Sequence, residues 1–308
     1  MTASCEVKIY PQYKIQKSAV VVGGAGFIGS HLVDRLIKDG FEVRVIDNLS
    51  SGKRENVNPR AELLIFDIRN ATPQLFEGFE YVFHLAALPK VPYSIQNPEE
   101  TNDVNVNGTL RLLKAAKEAG VRKFIYSASS SAYGDNPKLP LKETYKPNPK
   151  SPYALQKLVG EYYCKIFNDI YKLPTVSLRY FNVYGSRVDP TNPYSGVITI
   201  FKQKIRDRKP LMIYGNGTQS RDFTYVDDVV EANIRAMEAE TNGEVINIGA
   251  GQAHTLLEVA EMLGNELPID FGEARQGDVK HTLADISLAK KILGWQPKIR
   301  LKEGLKMF

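Results

Sequence analysis

Apolar residues along the chain alternate between two periods. The β-branched run Ser18–Val22 and the stretches 42–46, 63–66, 81–85, 123–127 and Thr175–Tyr180 read as short strands. Between them, 27–38, 105–119 and 153–170 carry apolar residues at helical spacing, as with Phe27, Ile28, Leu32 and Leu36. Strand alternating with helix predicts a parallel sheet covered on both faces. Right-handed crossovers then leave the doubly wound, Rossmann-type α/β fold as the outcome. Beyond about Gly185 the pattern loosens, with prolines and glycines clustered at 189–196 and 214–217. A helix over Val226–Glu238, a strand over Val245–Ile248 and a closing helix over 286–293 are expected there. The predicted organisation is an N-terminal extension (1–17), a Rossmann domain (18–186) to whose sheet 222–250 returns, and a smaller C-terminal α/β lobe (187–221 and 251–308). The chain stops at Phe308 soon after a last helix begins, which leaves a truncated C-terminus open.

Composition narrows the class. Of 308 residues, 43% are hydrophobic and 24% charged, the balance of a soluble globular protein. The net charge of +5 comes from 40 basic and 35 acidic residues spread along the chain, which reads as a solvated surface, not a nucleic-acid groove. The small positive excess suits an anionic ligand such as a diphosphate. Two cysteines, Cys5 and Cys164, make no disulfide framework, and four scattered histidines no metal signature. The polar start and the lack of a membrane-length apolar run predict a cytoplasmic protein with no membrane partner.

The sharpest local signal is Gly23-Gly24-Ala25-Gly26-Phe27-Ile28-Gly29 between the first strand and the first helix. It satisfies G-x-G-x-x-G, where glycines permit a tight turn, let backbone approach a pyrophosphate, and pack helix against sheet. The helix N-terminus offers unpaired N–H groups to the phosphates. Asp47, ending the second strand, is placed to accept from ribose hydroxyls and to repel a 2′-phosphate, so NAD is expected. Asp67, after the third strand, suits either the adenine edge or a helix N-cap.

A candidate reaction centre follows the fifth strand. Tyr153 and Lys157 stand one helical turn apart, and a nearby ammonium is expected to lower the phenol's pKa toward a general base. The spacing recurs at Tyr10–Lys14 and Tyr13–Lys17, so position, not spacing, singles out Tyr153. A hydroxyl from Ser127-Ala128-Ser129-Ser130-Ser131, at the strand's C-terminal end, is the expected third member.

GGAGFIGSHL, Asp47-Asn48-Leu49, HLAA (84–87), NVNGT (105–109), SASSSAYGD (127–135), SPYALQK (151–157) and RYFNVYG (179–185) together resemble the extended short-chain dehydrogenase/reductase family, from about Ser18 to the C-terminus. Within it the chain is similar to UDP-hexose 4-epimerases, closest to the type that accepts N-acetylated sugars. The resemblance implies Ser129, Tyr153 and Lys157 as the catalytic set. It implies an NAD site formed by Gly23, Gly26, Phe27, Ile28, Gly29, Asp47, Asn48, Asp67 and Ile68, with Leu85, Ala86, Ala87, Asn105, Ser127 and Tyr180, besides Tyr153 and Lys157. For the UDP-sugar it implies Asn182, Arg221 and Arg275 at the diphosphate, Asp278 at the uridine ribose, Val197 and Tyr214 near uracil, and Ser129 and Ser130 at the sugar. Guanidinium suits phosphate through planar, multiply donating contacts.

Thr282 stands where epimerases restricted to plain hexoses resemble one another in carrying a tyrosine, and its small side chain leaves room for a 2-acetamido group. Lys90 departs from the acetyl-sugar pattern and keeps UDP-glucuronate in play. Sugar 4,6-dehydratases carry acids where this chain has Ser130 and Ser131. A non-catalytic NAD-binding scaffold would be expected to lack the Tyr or Lys. Apolar faces on 105–119 and 153–170 fit either a homodimer contact or ordinary core.

Overall fold

The computed structural model describes residues 17–189, 196–264, 266–273 and 279–308. Strand β1 (Ser18–Val22) leads through the glycine turn into helix α1 (Phe27–Lys38), followed by β2 (Glu42–Asp47), β3 (Glu62–Ile65) and β4 (Tyr81–His84). Helices α2 (Val91–Gln96) and α3 (Pro98–Asn102) precede a wider π-type turn (Asp103–Gly108) that runs into α4 (Thr109–Glu118). Then come β5 (Lys123–Ser129), α5 (Pro152–Asp169), β6 (Thr175–Tyr180) and β7 (Val183–Tyr184). Beyond these lie α6 (Val197–Arg206), β8 (Leu211–Tyr214), β9 (Ser220–Asp222), β10 (Thr224–Tyr225), α7 (Val226–Glu238), β11 (Val245–Ile248) and β12 (Ala253–Thr255). Helix α8 (Leu256–Met262), β13 (Ile269–Gly272), α9 (Ser287–Leu293) and α10 (Leu301–Gly304) complete the chain.

Seven strands form one sheet in the order β11-β6-β5-β4-β1-β2-β3, every pairing parallel. A strand buried on both faces must be apolar throughout, and β1 is: Ala19 and Val21 pack toward α1 and α7, Val20 and Val22 toward α4 and α5. The order reverses at β1, which opens a crevice beyond the carboxyl ends of β1 and β4. A third apolar cluster, with Ile198, Phe201, Leu211, Ile213 and Val259 at its centre, joins α6, β8 and α8 beside that crevice.

Three local differences from the sequence reading have physical causes. Helices α2 and α3 occupy a stretch to which the sequence pattern assigned no element; Pro92 and Pro98 sit in their first turns, where a missing N–H is tolerated. The helix expected to start at 105 is already turning at Asp103 in the π-type segment. Helix α9 and Trp295, expected with the smaller lobe, pack into the large core against β11 and α7, with Trp295 Nε1 donating to Asp228 O (3.0 Å).

Candidate active site

The turn after β1 has the shape of a phosphate cradle. Gly23 has φ +85°, and a Cβ there would lie 2.5 Å from Ala86 N; a Cβ on Gly29 would lie 2.1 Å from Gly23 O. Only glycine lets the strand end, the helix start and the wall at Ala86 approach this closely. Gly26 begins α1 with no side-chain cap, so its first-turn N–H groups face outward for an anion. Gly23, Gly26, Phe27, Ile28 and Gly29 all line one cleft.

At the end of β2, the Asp47 carboxylate accepts from Ala25 N (3.0 Å) and Leu49 N (2.8 Å). Burial pushes its pKa up while those two N–H groups pull it down. The held carboxylate retains lone pairs for ribose hydroxyls, so these residues fit a dinucleotide. Asp67 takes the capping role that was one of the two expected of it. It caps the short turn Ile68–Asn70 through Arg69 N (2.9 Å), and it lines the cleft beside Asn48 and Ile68. The Arg69 guanidinium holds its carboxyl down to about 2.

The groups expected to react come from β5 and α5. Ser129 ends β5 in register with Tyr180 of β6, and its Oγ accepts from Ser131 N (3.2 Å) and Ser131 Oγ (2.8 Å). Its side chain faces the Tyr153 phenol closely enough to draw the phenol's pKa down. Ser151 caps α5 by accepting from Ala154 N (3.2 Å), and Tyr153 N donates to Ser94 Oγ of α2 (3.1 Å). Those caps set the first turn, from which Tyr153 and Lys157 both reach the cleft. Lys157 Nζ lies 4.7 Å from the Tyr126 ring centroid.

The electrostatics correct the sequence expectation. Burial pushes the Tyr153 phenol up to about 12, opposed by the Ser129 side chain. Burial also brings Lys157 down to about 8, with Cys164 and Glu161 opposing. Desolvation of the phenol therefore outweighs any help from the lysine in the folded chain itself.

The end of the cleft expected to take the sugar gathers residues from distant segments. Asn182, at φ 28°, donates through Nδ2 to Asp222 O (3.0 Å) and Thr282 Oγ1 (3.2 Å). Asp222 N donates to the same Thr282 oxygen (3.2 Å). The buried Asp222 carboxylate accepts from Ala250 N (2.6 Å), Gly251 N (3.0 Å) and Ala284 N (3.0 Å), while burial raises its pKa to about 7. Arg221 is oriented by Ser220 O (3.0 Å) and Lys280 O (3.1 Å). Asn182, Val197, Tyr214, Arg221 and Thr282 line the cleft. So do Lys90, Leu85, Ala86 and Ala87 on the wall after β4, and Ser127, Ser129, Ser130 and Tyr180 at the strand ends.

Asn105 is an exception. It is not among the lining residues but sits behind the wall, 2% exposed, bonded to Leu88 and Gln156. Arg275 and Asp278 lie outside the described residues. Cations that the sequence reading passed over also line the cleft, among them Lys53 and Arg187, the latter paired with Asp34 (2.6 Å). Lone basic residues in loops carry no motif, so no pattern could single them out.

The cleft has a volume of about 1250 Å³. That exceeds the roughly 300–1,000 Å³ of a site for one drug-sized ligand, leaving room for two nucleotides end to end. Among the described residues no His, Cys, Asp and Glu cluster could hold a metal ion, and no helix is long and apolar enough to cross a membrane.

Residues 19–249 match the NAD dependent epimerase/dehydratase family. The chain is similar to UDP-glucose 4-epimerase from Thermotoga maritima, solved with UDP-glucose, at 43% identity and TM-score 0.91 over 94% of this chain and 96% of that one. It is similar to UDP-N-acetylglucosamine 4-epimerase from Methanobrevibacter ruminantium, solved with UDP-N-acetylmuramic acid: 42% identity, TM-score 0.90, over 95% and 96%. It is also similar to UDP-glucuronic acid 4-epimerase from Bacillus cereus, solved with UDP-glucuronic acid and NAD: 34% identity, TM-score 0.87, over 94% and 97%. With a parallel sheet of this order and a cradle built for a dinucleotide, the chain belongs to the NAD dependent epimerase/dehydratase family, among the extended short-chain dehydrogenases/reductases.

Proposed function

We propose that this chain, an NAD-dependent UDP-sugar 4-epimerase, interconverts UDP-GlcNAc and UDP-GalNAc, and also UDP-glucose and UDP-galactose. The observation that carries the substrate assignment is Thr282: a small side chain in the cleft lining, anchored by Asn182 and Asp222, where a bulky ring would take up the space of a 2-acetamido group.

The catalytic set in this reading is Ser129, Tyr153 and Lys157. Tyr153 takes the C4 hydroxyl proton and later returns it, while Ser129 hydrogen-bonds the reacting oxygen. NAD, which Gly23, Gly26, Gly29 and Asp47 would hold, would supply the hydride acceptor at C4 and a positive charge beside the phenol. Lys157, as ammonium, favours the phenolate over the phenol. Asn182 and Arg221 grip the diphosphate, so the sugar can turn over while the nucleotide stays fixed.

The test is incubation with UDP-GlcNAc, UDP-glucose and UDP-glucuronate separately, without added NAD, resolving the 4-epimers. Turnover of the first two is expected. Thr282→Tyr is expected to abolish turnover of the acetylated pair and to weaken the plain pair less, through the lost brace on Asn182; equal loss on both pairs would sink the size argument. Lys90, half-buried in the cleft wall, favours UDP-glucuronate as a second reading, and turnover of that substrate alone would establish it.

We also infer a homodimer. Leu155, Tyr162, Ile166 and Ile170 are exposed along one side of α5, an apolar stripe suited to a second copy. Sedimentation should give twice the chain mass, and Tyr162→Glu with Ile166→Glu should halve it.

A further inference from the structure

Gln156 sits between Tyr153 and Lys157 in sequence, on the turn of α5 that carries both, yet it reaches no part of the cleft. It is 3% exposed, and both ends of its amide are engaged. Its Nε2 donates to Thr101 Oγ1 (3.0 Å) and Pro98 O (3.5 Å) of α3. Its Oε1 accepts from Asn105 Nδ2 (2.9 Å). Asn105, in the π-type turn, holds Leu88 at both backbone groups: Leu88 N donates to Asn105 Oδ1 (2.8 Å), and Asn105 Nδ2 donates to Leu88 O (3.1 Å).

Leu88 belongs to the wall that follows β4. Two residues earlier is Ala86, whose backbone leaves no room for a Cβ on Gly23. A buried amide bound at every polar atom is costly to disturb, because each lost partner leaves a desolvated group unpaired. The chain of contacts from α5 to the wall is therefore stiff. Two side chains, Gln156 and Asn105, carry it to the Leu88 backbone, so it can be cut without changing the residue at either end.

We propose that Gln156 is a positioning residue that, through Asn105, ties the cleft wall at Leu88 to the helical turn carrying Tyr153 and Lys157. The tie fixes the separation between the wall backing the cofactor and the groups that handle the sugar's proton. It rests on the reading of Tyr153 and Lys157 as the catalytic pair. It also explains why Asn105 stands behind the wall, not in it.

The experiment uses the full chain with NAD bound. Gln156→Met keeps side-chain length and removes both hydrogen-bonding ends. Exchange of the Leu88 amide with deuterium should become faster by about tenfold or more, with β1 and β2 unchanged. The value of kcat should fall about tenfold with KM for the UDP-sugar within about twofold, since misplacement far from the chemistry costs rate more than binding. Thr101→Val, which cuts the outermost link along with the Thr101 hydroxyl's own bonds to Asn97 O and Pro98 O, should shift both readouts the same way by less, and serves if the first variant does not fold. Unchanged Leu88 exchange in the variants overturns the tie. Faster Leu88 exchange with unchanged kcat overturns its role in positioning. A fully active Tyr153→Phe variant would instead remove the catalytic reading, whatever Leu88 does.

Discussion

At the dinucleotide end of the cleft, the main determinants lie between Ser18 and Asp47: one buried strand, one glycine turn, one helix start and one carboxylate. At the sugar end, Ser129, Tyr153, Asn182, Arg221 and Thr282 come from five separate segments, brought together by hydrogen bonds such as those around Asp222. The first site is made mostly of backbone and fails when backbone is crowded. The second is made of side chains and weakens contact by contact. A local site tolerates little change in shape, whereas an assembled one tolerates single changes at a graded cost.

The strongest way to break this contrast is Gly29→Ala. Its added methyl would meet Gly23 O, so the cradle must open. We expect no NAD retained on purification and a fold weakened by about 1–3 kcal/mol, read by denaturant melts and by NAD released on unfolding. Gly26→Ala meets only Gly23 O at 3.3 Å and should keep the fold while retaining less NAD. Equal melts for the two variants would argue against a site defined by backbone crowding.

Next in size is Tyr153→Phe, which removes one oxygen from the other end. A drop in kcat of about 10²–10⁴-fold is expected, with NAD content and melting unchanged. Loss of NAD in this variant would show that the two ends are not separable.

A smaller effect comes from Lys157, brought down to about 8 by burial. As pH rises through that value the ammonium is lost, and kcat should fall. Stability should move the other way. Between about pH 8 and the usual lysine range the unfolded chain binds more protons than the folded one, so folding free energy from this group grows as pH rises. Denaturant melts of the NAD-free chain at pH 8 and 10, compared with Lys157→Met, check the sign. A wild-type chain that gains nothing relative to the variant would refute it.

What was legible in the sequence follows the same division. The spans Thr175–Tyr180, Val226–Glu238 and Val245–Ile248 match their predicted ranges because buried strands and amphipathic helices write their period into consecutive residues. The glycine turn and Asp47 were legible for the same reason. Helices α2 and α3 were hidden by their own first-turn prolines. The place of Asn105 was not legible, since nothing near 105 indicates that its partners are Leu88 and Gln156. The upward push of burial on the Tyr153 phenol in the NAD-free chain was not legible, because burial is a property of the whole fold, and a four-residue spacing says nothing about solvent. At Thr282 the residue type was visible, but its anchorage by Asn182 and Asp222 was not.

That anchorage limits how the pocket can be redesigned. The hydroxyl of Thr282 accepts from Asn182 and from Asp222 N, so the residue that sets pocket size also braces a residue of the proposed diphosphate grip. Sugar choice and nucleotide grip are thus not independent dials: an engineer who enlarges or shrinks position 282 also retunes the hold on UDP. Exchanging the acetylated for the plain substrate would call for a paired change, with the new side chain supplying an acceptor where Thr282 Oγ1 now stands.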